Sequence, residues 1–215
     1  MLGAGGMGMA DVRAVRSRLL RRGVVLESWS LAWLAMEAAV AGAAGLAAGS
    51  IVLLAFGLDS LLEVASASVL LYRLRRELAG CDPRQTELTE RRAAIFVGGT
   101  LLLLAVYIAG ESGYDLWYHR AAEASVPGIL LAACAIPVMW WLAKAKRSLA
   151  VELSSAALRG DAAEGVVCAW MSGAVLAGLA ARAGLGWWWA DPAAALTLVY
   201  FIVREGLEAL RSEAR

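Results

Sequence analysis

The chain has 215 residues, of which 60% are hydrophobic and 18% are charged. An average soluble domain is about 45–50% apolar and about 25% charged, so this composition excludes an ordinary soluble protein and indicates a membrane protein. The 20 basic and 19 acidic residues leave a net charge of +1, which excludes an overall field that would recruit nucleic acid. The cysteines, Cys81, Cys134 and Cys168, have no C-x-x-C spacing and indicate no disulfide framework.

The N-terminal segment, residues 1–27, is basic and precedes a long apolar run. Its arginines are Arg13, Arg16, Arg18, Arg21 and Arg22. A signal peptide would show a short apolar region followed by a small-residue cleavage site, and this segment shows neither. We therefore expect a cytoplasmic segment followed by an uncleaved first membrane helix.

Six stretches are apolar enough to span a bilayer, since a spanning helix needs about 20 mostly apolar residues. They lie near residues 28–47, 50–72, 93–111, 124–143, 154–181 and 190–210. A basic run at 144–147 is expected to close the fourth helix, and Asp191-Pro192 is typical of an N-cap followed by a first-turn proline. The sequence predicts an all-α polytopic membrane protein with one six-helix transmembrane domain, residues 28–212, and a short tail, residues 213–215.

The distribution of lysine and arginine predicts the orientation. Eighteen of the 20 basic residues lie at the N-terminus, in the 73–92 loop, in the 144–159 region or at the C-terminus, and the other two are Arg120 and Arg182. Basic residues concentrate in cytoplasmic segments. We therefore expect both termini in the cytoplasm and the protein in the cell (inner) membrane.

Carboxylates inside the predicted spans are the most informative feature. They are Glu37 in the first span, Asp59 and Glu63 in the second, and Asp161 and Glu164 in the fifth. Each acid at the bilayer centre costs about 2.5–3.5 kcal/mol. Because Arg159 is the one basic residue expected near their depth, ion pairing cannot account for most of them. The remaining explanations for these acids are a bound cation, bound protons, or both.

The spacing of these residues places them in pairs. Asp59 and Glu63 are four residues apart, as are Glu164 and Cys168, so each pair lies on one helix face. Measured from the predicted helix ends at about 1.5 Å per residue, both pairs fall about 13–21 Å into the bilayer. Two neighbouring helices would therefore present four ligands to one ion near the midplane.

The sequences around these residues resemble the cation diffusion facilitator family. FGLDSLLE, residues 56–63, is similar to the D-x-x-x-D motif of the family's second helix, with Glu63 in place of the second aspartate. GDAAEGVVC, residues 160–168, is similar to the A-D-x-x-H-x-x-x-D motif of the fifth helix, with Glu164 at the histidine position and Cys168 at the last aspartate. WADP, residues 189–192, is similar to the start of the sixth helix.

This resemblance implies a homodimer of six-helix bundles, each with a tetrahedral zinc site near the midplane. The only histidine, His119, lies outside the predicted spans, so the ligands here would be carboxylates and one thiolate. Such a set suits Zn²⁺ or Cd²⁺ and leaves room for Fe²⁺, Co²⁺ or Mn²⁺. The family's usual cytoplasmic C-terminal domain is not expected, because few residues follow the sixth span.

The candidate metal ligands are Asp59, Glu63, Glu164 and Cys168. Asp161 is a further candidate, as an entry ligand, with a capping role beside Gly160 as the alternative. Glu37 is expected either to complete the shell or to hydrogen-bond to a neighbouring helix. Small residues, Gly98, Gly99, Gly173 and Gly178, would permit close helix approach in the dimer.

The predicted function is secondary transport that exports a divalent cation, with zinc as the default, in exchange for protons. Metal binding requires deprotonated ligands, so one site can bind either the cation or protons. No phosphate-binding loop or dinucleotide motif is present, and we expect neither an enzyme nor a nucleotide-driven pump. The partners are then membrane lipid, the cation and protons. Two alternatives stay open: a proton channel or proton-coupled carrier of another substrate, and a non-transporting membrane interaction protein.

The charge distribution makes the topology testable. In a chain whose Cys81 is replaced by serine, the Arg84→Cys variant should be shielded from a membrane-impermeant thiol reagent in intact cells, because the 73–92 loop is expected in the cytoplasm. Labelling should appear once the cells are permeabilised. Labelling in intact cells would reverse the orientation.

Overall fold

The computed structural model describes residues 9–80, 87–120 and 122–212. Across these residues the chain forms six α-helices and no strand. The helices are α1 (Met9–Ala48), α2 (Ile51–Leu78), α3 (Glu87–Trp117), α4 (Val126–Leu153), α5 (Ala156–Leu185) and α6 (Ala190–Ser212). The prediction of an all-α, six-helix protein is confirmed.

Within the described residues, four helices are long and apolar enough to cross a membrane, namely α1, α2, α4 and α5. Helices α1 and α4 extend farthest beyond one end of their predicted spans. Helix α1 has 40 residues and is therefore about 60 Å long, against a hydrocarbon core of about 30 Å. Its basic first half is thus a helical extension of the first span. Helix α4 continues through the basic run at 144–147 and ends only at Leu153, so the expectation that this run closes the helix is wrong.

The helices pack mainly in three pairs, α1 with α2, α4 with α5, and α3 with α6. Further contacts join α1 to α4, α5 to α6, and α2 to α3, α5 and α6. Helix α2 therefore neighbours both α1 and α5, although its contact with α5 is less extensive. The apolar core runs between these helices and includes the fully buried side chains of Phe56, Ile108, Met171 and Leu198.

Glycines allow two close helix approaches. A Cβ atom on Gly57 would lie 2.9 Å from the backbone nitrogen of Gly42, so α1 and α2 meet almost backbone to backbone. A Cβ on Gly178 would lie 2.6 Å from the Cβ of Ala194. Gly178 therefore permits the close packing of α5 against α6 within the chain. A Cβ on Gly99 or Gly173 would meet no atom within 4 Å.

A residue in the first turn of α6 forms hydrogen bonds with the start of α2. The side chain of Ser50 caps α2 by accepting a hydrogen bond from the backbone N–H of Leu53 at 3.3 Å. Asp191 accepts a hydrogen bond from the Ser50 hydroxyl and another from the N–H of Val52, the latter at 3.2 Å. Asp191 lies within α6 rather than before it, so its predicted role as the N-cap of the sixth helix is wrong. It satisfies the free N–H groups of α2 instead.

The approach of α1 to α2 predicts a stability difference between two similar substitutions. Gly57→Ala should destabilise the protein by about 1–3 kcal/mol, because the added methyl group overpacks the contact with Gly42. Gly110→Ala is the control, because its Cβ would meet no atom within 4 Å and alanine favours a helix over glycine by about 0.5–1 kcal/mol. Thermal unfolding in mild detergent should show a lower melting temperature for Gly57→Ala alone. Equal melting temperatures would contradict the close approach.

Candidate metal site

Three helices bring buried polar side chains together inside the bundle. Glu37 on α1 and Cys168 on α5 are each 0% exposed, and Asp59 on α2 is 1% exposed. The apolar core surrounds them, since Phe56 and Met171 are also fully buried. The condition that the second and fifth helices be neighbours is therefore met, and the first helix joins them.

Glu37 is held by hydrogen bonds from three directions. Its carboxylate accepts one from Trp33 Nε1 at 2.6 Å and one from the Ser60 hydroxyl at 2.9 Å. The Cys168 thiol donates a third at 3.8 Å. Glu37 thus connects α1 with α2 and α5. Of the two roles considered for Glu37, these contacts favour hydrogen bonding to neighbouring helices over completion of the metal shell.

Asp59 has a different environment. Among the residues that the structure describes, no donor forms a hydrogen bond with either carboxylate oxygen of Asp59. Its carboxylate interacts electrostatically with those of Glu37 and Glu164. An isolated buried carboxylate is strongly unfavourable, and like-charged neighbours add to the cost. Asp59 therefore needs a cation or a proton that the surrounding side chains do not supply.

Glu63 and Glu164 border this region. Glu63 lies one helical turn beyond Asp59 on α2, and Glu164 lies one turn before Cys168 on α5, and both are partly exposed. Within the described ranges, no group of three or more His, Cys, Asp or Glu side chains is close enough to hold a metal ion. Of the four predicted ligands, Asp59 and Glu164 interact electrostatically and Cys168 lies beside Glu37, so a bound cation would have to draw the set together.

Asp161 belongs to a separate buried cluster. The Lys146 ammonium lies 2.5 Å from an Asp161 carboxylate oxygen and 3.1 Å from Glu27 Oε1. Lys146 is only 5% exposed and Glu27 is 0% exposed. This cluster, called here the ion triad, connects α1, α4 and α5. The ion pair with Lys146 compensates the charge of Asp161. The Asp161 carboxylate is not among those that interact with Asp59.

Sequence reasoning missed both Lys146 and Glu27. The basic run at 144–147 is expected at the end of a helix, where lysine side chains reach water. The missing signal was periodicity: Lys146 follows the buried residues Leu142 and Ala143 and precedes Leu149 and Ala150, on one helical stripe. Extending the fourth helix past the basic run would have placed Lys146 inside the bundle.

The ion triad predicts unequal effects for two neighbouring lysines. Lys146→Met should destabilise the protein by about 3–5 kcal/mol, since removing one partner leaves buried charge uncompensated. Lys144→Met is the control, because Lys144 is exposed. Folded yield and melting temperature in detergent measure the difference. The triple variant Lys146→Met with Glu27→Gln and Asp161→Asn should recover most of the loss, and a stable Lys146→Met single variant would contradict the triad.

Comparison with known proteins bears on the family to which the chain belongs. Residues 29–215 match the sequence profile of the Cation efflux transmembrane domain. No individual curated protein gives a significant match. The matched region contains Asp59, Glu63, Glu164 and Cys168 and begins within α1, just after Glu27. The resemblance stated from the motifs is confirmed, and the chain belongs to the cation efflux family, whose transmembrane domain carries divalent metal cations across membranes.

Proposed function

We propose that this protein exports a divalent metal cation, with Zn²⁺ as the principal substrate, from the cytoplasm in exchange for protons. The ion binds between α2 and α5 near the bilayer midplane. The observation that carries the proposal is Asp59, a carboxylate that is 1% exposed, lacks a hydrogen-bond donor among the described residues and interacts electrostatically with two further carboxylates.

The proposed ligands are Asp59 and Glu63 from α2 and Glu164 and Cys168 from α5. Carboxylate oxygens and a thiolate sulfur are ligands that Zn²⁺ accepts, and the sulfur favours softer ions such as Cd²⁺ over Mn²⁺. The ion triad favours a structural role for Asp161 over coordination. Glu37 is best assigned to holding Ser60 and Cys168 in place, since both donate hydrogen bonds to it.

Exchange for protons follows from the crowding of acids. Carboxylates on α1, α2 and α5 interact with one another, and those of Glu37 and Asp59 are buried, so ionising all of them is unfavourable unless a cation is bound. Metal ligands must be deprotonated, so an ion that enters releases protons and protons that enter release the ion. Alternating exposure of this region to the two sides of the membrane would couple the two flows.

The charge distribution supports an orientation with both termini in the cytoplasm of the cell membrane. The ion triad lies on the cytoplasmic side of the site in this orientation, because Asp161 precedes Glu164 on a helix that begins in the cytoplasm. We also propose a homodimer held through exposed helix faces, which leaves Gly99 and Gly173 available for contact between protomers.

Neutralising a ligand should stop transport without unfolding the protein. Asp59→Asn and Glu164→Gln should fold at least as well as the unmodified chain, because each removes an intramembrane acid. Both should lose bound zinc and reduce zinc-driven proton movement in proteoliposomes at least about tenfold, as expected for a loss of about 1.4 kcal/mol or more in binding. Glu123→Gln is the control, since Glu123 is exposed in a connector.

The outcomes separate the proposal from its alternatives. Full transport by Asp59→Asn would exclude the assigned site. Proton movement that needs no metal would favour a proton channel or a carrier of another substrate. Purified protein that binds zinc with no movement of metal or protons in either direction would favour a non-transporting membrane protein.

The thiol should tune the choice of metal. Cys168→Ser should reduce the ratio of Cd²⁺ transport to Mn²⁺ transport, because a thiolate selects soft cations and a hydroxyl does not. Cys134→Ser is the matched control, because Cys134 is a free cysteine on the exposed surface. The ratio is measured in proteoliposomes with both ions at equal concentration. An unchanged ratio in Cys168→Ser would remove Cys168 from the site.

A further inference from the structure

A groove opens between α1 and α4 on the outside of the bundle. Its volume is about 560 Å³. The side chains that matter for its chemistry are Arg21, Arg22, Val25, Trp141, Ser148 and Glu152. The groove is separate from the candidate metal site, whose ligands lie on α2 and α5.

The groove combines a polar end with an apolar end. In the proposed orientation α1 runs outward from the cytoplasm and α4 runs back toward it. Arg21 lies about 10 Å before residue 28, where the predicted first span begins. Glu152 lies about 13 Å beyond residue 143, where the predicted fourth span ends. The polar end is thus at the depth of the lipid headgroups, and Val25 and Trp141 reach the edge of the hydrocarbon.

Both arginines are available to a ligand. Arg21 and Arg22 are exposed, and in the described part of the chain neither forms an ion pair or a hydrogen bond with another side chain. Arg16 on the same helix differs, since it forms an ion pair with Glu77. The one acidic side chain that lines the groove is Glu152, so these three charged groups sum to +1. Two unpaired guanidinium groups beside a hydroxyl are suited to a phosphate.

We propose that this groove binds an anionic phospholipid of the cytoplasmic leaflet. Arg21 and Arg22 hold the phosphodiester, with Ser148 as a further donor, and the acyl chains lie along Val25 and Trp141. Basic pockets between membrane helices on the cytoplasmic side are a recognised setting for acidic headgroups. Glu152 faces the outer part of the headgroup, where it accepts hydrogen bonds from a hydroxylated headgroup and gains nothing from a methylated one.

The groove favours a lipid over a soluble phosphate because of its walls. Val25 is 55% exposed and Trp141 is 60% exposed, so each presents apolar surface that an acyl chain would cover. Tryptophan is also typical of the membrane interface. Phosphate alone would engage the arginines and leave these side chains uncovered.

Binding here would also stabilise the contact between α1 and α4. Leu26 and Ala145 line the groove, and the residues that follow them, Glu27 and Lys146, form the buried ion pair between the same two helices. A lipid in the groove therefore packs on the outer side of the contact that the ion triad holds from within. Occupancy should raise thermal stability, which gives a measurement independent of metal transport.

The test compares lipid retention by two double variants. Native mass spectrometry is recorded on the full chain in mild detergent with phosphatidylglycerol, phosphatidylcholine or soluble glycerol phosphate. Arg21→Ala with Arg22→Ala should lower retained phosphatidylglycerol about thirtyfold, since each basic residue contributes about 1 kcal/mol to the binding of an acidic headgroup and about 1.4 kcal/mol corresponds to tenfold. Arg13→Ala with Arg18→Ala removes the same charge from the same helix outside the groove, and it should change retention less than about twofold.

A steric variant separates the contribution of the groove's apolar surface from that of its charge. Val25→Trp fills the apolar end at an exposed position without altering any charge, and it should also lower phosphatidylglycerol retention and abolish the rise in melting temperature that the lipid gives. Equal losses in the two arginine double variants would show attraction to basic charge alone and overturn the proposal. Equal retention of phosphatidylcholine would overturn the choice of an anionic lipid, and equal stabilisation by glycerol phosphate would overturn the choice of a lipid.

Discussion

The cost of placing a carboxylate in the membrane interior constrains the whole structure. The acids inside the described part of the bundle meet this cost in different ways. Glu27 and Asp161 share the ammonium group of Lys146, and Glu37 accepts hydrogen bonds from three side chains. Asp59 receives no hydrogen bond among the described residues. The difference separates the acids that hold helices together from Asp59, which remains available to a ligand and beside which the transported cation is proposed to bind.

Helix α1 connects these two groups. It carries Glu27 in the ion triad and Glu37 beside Cys168, ten residues further along. That separation corresponds to about 15 Å along the helix axis. The same helix lies against α2 at Gly57, where the backbones nearly touch. A displacement of α1 would therefore act on the contacts with α2, α4 and α5 together, so α1 is well placed to couple the ion triad to the candidate site.

The start of α6 illustrates how a motif can serve a distant element. Asp191 belongs to the WADP motif, and in sequence it precedes a proline in the usual arrangement of a helix cap. In the fold it accepts hydrogen bonds from Ser50 and Val52. It thereby fixes the first turn of α2. The same helix carries Asp59, eight residues after its first residue, Ile51. The motif contributes to the candidate site by holding the helix that carries the proposed ligands Asp59 and Glu63.

The sequence alone determined the helical class, the number of helices, and the spacing of one helical turn that separates Asp59 from Glu63 and Glu164 from Cys168. These features depend on hydrophobic length and on the periodicity of a single helix, and both are local properties. Tertiary structure alone decided that Lys146 is buried and that Asp161 forms an ion pair with it. It also decided that Glu37 accepts a hydrogen bond from the Cys168 thiol and that Asp191 caps α2. Each of these depends on which helices are neighbours and on how each is rotated about its axis, and no spacing within one segment determines either.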